Sequence, residues 1–221
     1  MVVAIDGPAG SGKSTIAKML AEKLGLMFMN TGSFYRGVTL ALLRAGGGGL
    51  DGSGGTKPDL SDEGAIIAFA LTVPLDYRNG HLFLGDEDVD SLLRSDAVES
   101  IVAPLSAIVG VRHIVNQKIR AVAQASGIVC EGRDMTTVVF PDAEYKFFLD
   151  ASPAARAKRR YEQGTSNLSL SQIEKSIAER DELDRNKKEG SLKIAPDAVY
   201  LDTSDLTING VCDIIVSKIH L

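Results

Sequence analysis

The stretch VVAIDGPAGSGKSTIAKMLAEKLG, residues 2–25, constrains this chain more than any other. A five-residue apolar run leads into residues 7–14 in the pattern G-x-x-x-x-G-K-[ST], and an amphipathic run follows at once. Strand, loop and helix in that order wrap backbone N–H groups around a phosphate, and the helix N-terminus adds positive potential. Gly7, Pro8, Ala9, Gly10, Ser11, Gly12, Lys13, Ser14 and Thr15 are therefore the expected nucleotide-binding residues. Lys13 is placed to reach the β- and γ-phosphates, and the Ser14 hydroxyl is placed to hold a magnesium ion.

Four more apolar runs repeat the strand signature, at residues 26–30, 127–131, 145–150 and 198–202. Near-continuous apolarity over so few residues suits strands buried on both faces, and helical patterns separate the runs. The expectation is an α/β doubly wound fold on a parallel sheet. Asp6, Glu131, Asp150 and Asp202 end four of the five runs, at the carboxyl edge where such sheets bind ligands. Some of those acids serve equally well as turn or cap residues.

Two segments interrupt the alternation. GGGGLDGSGG, residues 46–55, reads as a flexible loop too permissive to hold a precise site. Residues 71–89 read as two strands around the hairpin signal Asn79-Gly80, with a helix over about 90–101. The organisation expected is one domain. It comprises a core (1–45), a glycine-rich loop (46–59), an inserted antiparallel lobe (about 60–105), core again (106–150), a helical lid (about 151–170) and a C-terminal core (171–221).

Composition narrows the function. A net charge of −5 disfavours nonspecific binding to nucleic acid or to an anionic membrane, so an anionic ligand has to be held by local basic clusters. Cys130 and Cys212 form no CxxC and the three histidines share no ligand spacing, which leaves no metal-cluster or disulfide pattern. No apolar run is long enough to span a membrane. The N-terminus lacks the basic region of a signal peptide, so a cytoplasmic protein is expected.

A phosphate loop alone fits a small-molecule kinase, a GTP switch or a motor ATPase. NKKE at 186–189 lacks the aspartate of a guanine reader, and DGSG at 51–54 lies in the glycine tract, so the switch is disfavoured. A nucleic-acid motor would be larger and more basic. A compact metabolite kinase fits best.

Acceptor residues are expected at strand ends. Tyr35 and Arg36 of NTGSFYRG start a helix after the second strand, and an arginine there can hold a phosphate with two prongs. CEGRDM, 130–135, crowds Glu131, Arg133 and Asp134 at another strand end. Arg156, Arg159 and Arg160 fall at i, i+3 and i+4 on one helix face, an arrangement suited to a lid over ATP phosphates. In the last long helix Leu170, Ile173 and Ile177 mark an inward stripe. Continued by +3, +4 and +3, it reaches Arg180, Asp184 and Lys187 and leaves Glu182, Arg185 and Glu189 aside. Inward charges need partners, and a sugar-phosphate can supply them.

Taken together these residues resemble the bacterial cytidylate kinases over nearly the whole chain. The resemblance runs through IDGPAGSGKST, NTGSFYRG, VRHIV, EGRDMTTVVFPDAEYKFFLDAS, RAKRR and AERDELDRN. It implies a P-loop three-layer fold with a five-stranded parallel sheet, a CMP-binding lobe and a lid. It implies ATP with magnesium as phosphoryl donor and CMP, with dCMP, as acceptor; a monomer is expected, although the sequence does not give the oligomeric state. By the same resemblance Thr31 and Arg36 lie near the acceptor phosphate and Tyr35 in the base pocket. Arg112 and Asp134 match cytosine readers, Arg180 and Asp184 match ribose contacts, and Lys187 stands where the family commonly has a phosphate-binding arginine. Lys13, Arg133, Arg156, Arg160 and Arg180 are the implied catalytic charges, with Arg159 on the nucleotide. Ala103 replaces a frequent base-contacting serine, and the 46–55 tract is longer than the family pattern. A kinase for UMP or another small acceptor, or a regulatory nucleotide-binding protein, remains an alternative.

Overall fold

The computed structural model describes residues 1–162, 164 and 168–220. In chain order the elements are β1 (Val2–Asp6), α1 (Lys13–Leu24), β2 (Met27–Asn30), α2 (Gly32–Ala45), α3 (Glu63–Thr72), β3 (Leu75–Arg78), β4 (His81–Leu84) and β5 (Glu87–Asp88). There follow α4 (Asp96–Leu105), α5 (Val109–Ala125), β6 (Ile128–Gly132), β7 (Tyr145–Asp150), α6 (Pro153–Glu162), α7 (Leu170–Arg185), β8 (Val199–Asp202) and α8 (Ile208–Val216). They gather into two compact units, Met1–Met29 with Gly127–Leu221, and Asn30–Ser126.

The first unit is built on a five-stranded parallel sheet of order β2-β6-β1-β7-β8, formed by the five apolar runs. Strands β1 and β7 bury both faces, as their unbroken apolarity requires. Val3, Ile5, Val129, Phe147 and Leu149 meet Ile16 and Leu20 of α1 and Val211 and Ile215 of α8 in one core. With β6 on one side of β1 and β7 on the other, the segment after Asp6 leaves the sheet where the strand order reverses.

Asp6 itself is structural. Its carboxylate accepts from the backbone N–H groups of Met135 and Thr136 and from the Thr136 hydroxyl, at 2.6–2.9 Å. It thereby caps the single π-helical turn Met135–Val139. Burial pushes its carboxyl up to about 6 despite those donors. Asp202 likewise accepts from Ser204, as a turn residue.

In the second unit the Asn79-Gly80 hairpin forms, with φ of 53° and 83° at the two residues, as a tight I′ turn demands. The sheet has a third short strand, β5, which the two-strand expectation omitted. The helix expected over 90–101 is broken into a 3-10 turn, Asp90–Leu92, and α4, which continues to Leu105. Ser95 separates the two in extended conformation.

The glycine tract departs from the flexible loop expected of it. Gly49 N–H donates to Ser53 O at 2.6 Å, Gly52 N–H to Gly49 O at 2.8 Å and Ser95 Oγ to Asp51 O at 3.0 Å. A Cβ on Gly55 would lie 2.5 Å from the Gly48 nitrogen, so the tract is glycine-rich because its two ends touch backbone to backbone. Arg44 ties it down by donating to the Leu50 carbonyl and to Glu87. Among the described residues no single helix is long and apolar enough to cross a membrane.

Candidate active site

The phosphate loop lies in the first unit and its geometry starts with glycines. Gly7, Gly10 and Gly12 have φ of 152°, 78° and 90°, conformations that side chains resist. A Cβ on Gly7 would sit 2.0 Å from the Leu149 carbonyl oxygen, so the loop can fold back over β7 only with glycine there. Lys13 begins α1 and is 5 % exposed. Its Nζ donates to Pro8 O at 2.8 Å, which brings the ammonium back over the loop. Burial, aided by the nearby Arg133 charge, lowers this amine to about 7. The Ser14 hydroxyl donates to Glu131 Oε1 at 2.9 Å, joining the helix start to the end of β6.

Beside the loop a buried carboxylate gathers cations. Asp184, on α7, is fully buried and accepts from Arg133 Nε at 2.7 Å, Lys187 Nζ at 2.8 Å and Arg180 Nε at 3.3 Å. Burial opposes its charge, yet Arg133 and Lys187 hold the carboxyl well below the ordinary carboxylate range. Each cation keeps solvent access, with side-chain exposures of 24 % for Arg133, 27 % for Lys187 and 51 % for Arg180. Asp134 is buried next to Arg133 and leads into the π turn.

The inward stripe of α7 is corrected in three places. Leu170 is exposed, and Arg180 stands half out of the protein, whereas Asp181 is buried beside Asp184. The buried positions are 173, 177, 181 and 184. Lys187 lies beyond the end of α7 at Arg185 and reaches Asp184 from the following turn. Glu182 and Arg185 are exposed, as expected.

The arginines of α6 do not share one outward face. Arg156 is 2 % exposed, and its guanidinium donates to Ala151 O at 2.9 Å, Ala9 O at 3.0 Å and Asp181 Oδ2 at 2.6 Å. Arg159 donates to the carbonyl and hydroxyl of Thr203, and Arg160 is exposed. Like charges are thus relieved by protein partners and not by an anion alone. Ser152 and Pro153 start α6 as their types predict, with Ser152 Oγ accepting from Ala155 N–H at 3.2 Å. Of the expected lid, residues 163 and 165–167 lie outside the described residues.

In the second unit Tyr35 and Arg36 lie on α2, Thr31 at its N-cap and Arg112 on α5, and among these Arg112 meets Tyr35. Arg36 Nη1 donates to Glu99 Oε1 at 2.5 Å and Leu93 O at 3.2 Å. The Arg112 guanidinium lies 5.6 Å from the Tyr35 ring centroid. Tyr35 OH donates to Asn116 Oδ1 at 3.4 Å. Thr31 is buried at the start of α2, and Ala103 is exposed on α4. Sequence reasoning missed Asp181, Thr203, Glu99 and Asn116. Only Asp181 carried a usable signal, the +4 step from Ile177.

The cytidylate kinase family model matches residues 3–221. A relative from Borrelia hermsii, "Cytidylate kinase", is 39 % identical over 223 residues, covering 100 % of this chain and 99 % of its own. One of the same name from Thermodesulfovibrio yellowstonii is 39 % identical over 221 residues, covering 99 % and 97 %. A crystal structure of an uncharacterized protein from Eubacterium ventriosum shares the fold at TM-score 0.52 and 12 % identity, covering 98 % of this chain and 96 % of its own.

Proposed function

The chain belongs to the cytidylate kinase family and catalyses ATP-dependent phosphorylation of CMP; on that premise we propose which residues carry the reaction and that dCMP is a second acceptor. The observation that carries the assignment is the glycine loop with Lys13 folded over it, beside Asp184 and its three solvent-reaching cations. A polyanion binding beside these groups meets charge already assembled, although the molecule as a whole is acidic.

The backbone N–H groups of residues 9–15 and Lys13 bind the ATP phosphates. Ser14 Oγ and the Glu131 carboxylate, 2.9 Å apart, form the oxygen pair that suits magnesium, which keeps most of its other ligands as water and phosphate. When bound, that ion neutralises charge on the β- and γ-phosphates. By the family resemblance, Arg36 and Thr31 hold the CMP phosphate, Arg112 and Asp134 read cytosine, Tyr35 serves the base, and Asp184 with Arg180 and Lys187 meets the ribose and phosphate. A phosphate oxygen of CMP, already ionised at neutral pH, attacks the γ-phosphorus, the bond to the β–γ bridging oxygen breaks, and ADP leaves. No general base is required. The protein contributes alignment and suppression of repulsion between two polyanions. A monomer acting in the cytoplasm, where both nucleotides are found, completes the proposal.

The test is to incubate the enzyme with γ-labelled ATP and magnesium, with and without CMP or dCMP. Label is expected in CDP or dCDP, with ADP release dependent on the acceptor. Slow release of inorganic phosphate that neither acceptor stimulates would overturn the reading in favour of a regulatory nucleotide hydrolase.

A further inference from the structure

A phosphate loop works only if its N–H groups point inward, and this turns its carbonyls outward, where each needs a donor. Here the donors can be named. Lys13 Nζ satisfies the Pro8 carbonyl at 2.8 Å, and Thr203 Oγ1 approaches the Ser11 carbonyl at 3.4 Å. Arg156 Nη1 satisfies the Ala9 carbonyl at 3.0 Å. Arg156 also packs on the loop, because a Cβ on Gly10 would come within 3.3 Å of its own Cβ.

The position of that guanidinium is set in turn by Asp181, whose Oδ2 lies 2.6 Å from Nη2. Both side chains are more than nine-tenths buried, at 3 % and 9 % exposure. The Oδ1 atom of Asp181 is buried and has no hydrogen-bond partner among the described residues. A half-satisfied buried carboxylate costs stability, and the apolar Ile173–Ile177 stripe that packs α7 does not itself call for one at 181. A chain that keeps Asp181 gains something other than helix packing.

We propose that Asp181 is a positioning residue for the ATP site, acting through Arg156 to hold the Ala9 carbonyl and so keep the phosphate loop open toward its ligand. Arg156 then belongs to the fixed frame of the loop and not to a lid that travels with the nucleotide. The inference rests on the nucleotide reading given above.

Asp181→Asn keeps the shape and removes the charge that holds the guanidinium. The KM for ATP is expected to rise about tenfold while that for CMP stays within about twofold, a split that loosening of the helix as a whole would not produce. Arg156→Ala is expected to give the same split. The double variant is expected to be no worse than Arg156→Ala alone, because one residue acts through the other. Asp181→Ala is measured alongside, with melting temperatures for all variants and exposed Glu179→Ala as the control. A lowered melting temperature with unchanged KM for ATP would overturn the inference, and so would effects that multiply in the double variant. Lys13→Ala in the same assay separates the two levels. If it abolishes turnover while Asp181→Asn leaves the ATP KM alone, only the role of Asp181 fails. If Lys13→Ala is near normal, the nucleotide reading fails and the inference with it.

Discussion

Asp184 holds the cation cluster together and, in the proposed reaction, also meets the acceptor. Its carboxylate is charged because Arg133, Lys187 and Arg180 surround it, and they stay clustered because it is charged. A carboxyl held below its ordinary range contributes stability that is present above the unfolded value of about 3.8 and is lost as pH falls below it. Asp184→Asn should therefore cost about 2–3 kcal/mol near neutrality, since three cations lose their anion, and should flatten the acid limb of an unfolding titration. It should also raise the KM for CMP. Unchanged acid stability together with unchanged CMP affinity would contradict both roles. Lys13 runs with the opposite sign. Its amine sits at about 7 in the folded protein against 10.5 ordinarily, so the unfolded chain binds the extra proton and stability rises with pH across that window. ATP phosphates favour the ammonium, so at pH near 8 binding of a non-hydrolysable ATP analogue should take up about one proton. Calorimetry in two buffers of different ionisation enthalpy measures this, and no uptake would show that the free amine already carries its proton at that pH.

At the scale of elements, what the sequence displayed and what it hid have physical causes. The strands were visible because each is a short, largely apolar run, buried on both faces in β1 and β7, and the loop after β1 because its glycines take positive φ and Gly7 lies against Leu149. The stripe on α7 went astray because hydrophobic periodicity cannot tell a +3 step from a +4 step once the residues become charged. Arg180 and Asp181 are neighbours, and only the partner on α6 settles which one turns in. Lys187 was placed on the helix because its end at Arg185 carries no glycine or proline stop. The third strand of the small sheet is two residues long, too short to leave a pattern. The glycine tract misled for a different reason: composition reports permissiveness, whereas its hydrogen bonds show a closed loop. Gly55→Ala should therefore lower stability by about 1–3 kcal/mol, since its Cβ would meet backbone that cannot rotate aside. Deleting several of these glycines should lower the melting temperature for the same reason. Melting curves unaffected by either change would restore the flexible loop.

For the whole molecule, an acidic protein binds two polyanions because its positive charge is local. Lys13, Arg133, Arg180 and Lys187 lie close to Asp184 or to the phosphate loop in one unit, and Arg36 and Arg112 lie in the other. Selectivity between pyrimidines belongs to this scale, since it is a property of the assembled enzyme with both substrates. Cytosine offers an exocyclic amine donor beside the N3 acceptor, and uracil reverses the two. With Asp134 as the proposed acceptor and Arg112 as the proposed donor, uracil would leave polar groups unpaired, at about 1–3 kcal/mol each. The most direct measurement is the ratio of kcat/KM for CMP to that for UMP at saturating ATP and magnesium. A preference for CMP of about tenfold or more is predicted, and equal values for the two nucleotides would contradict the assignment.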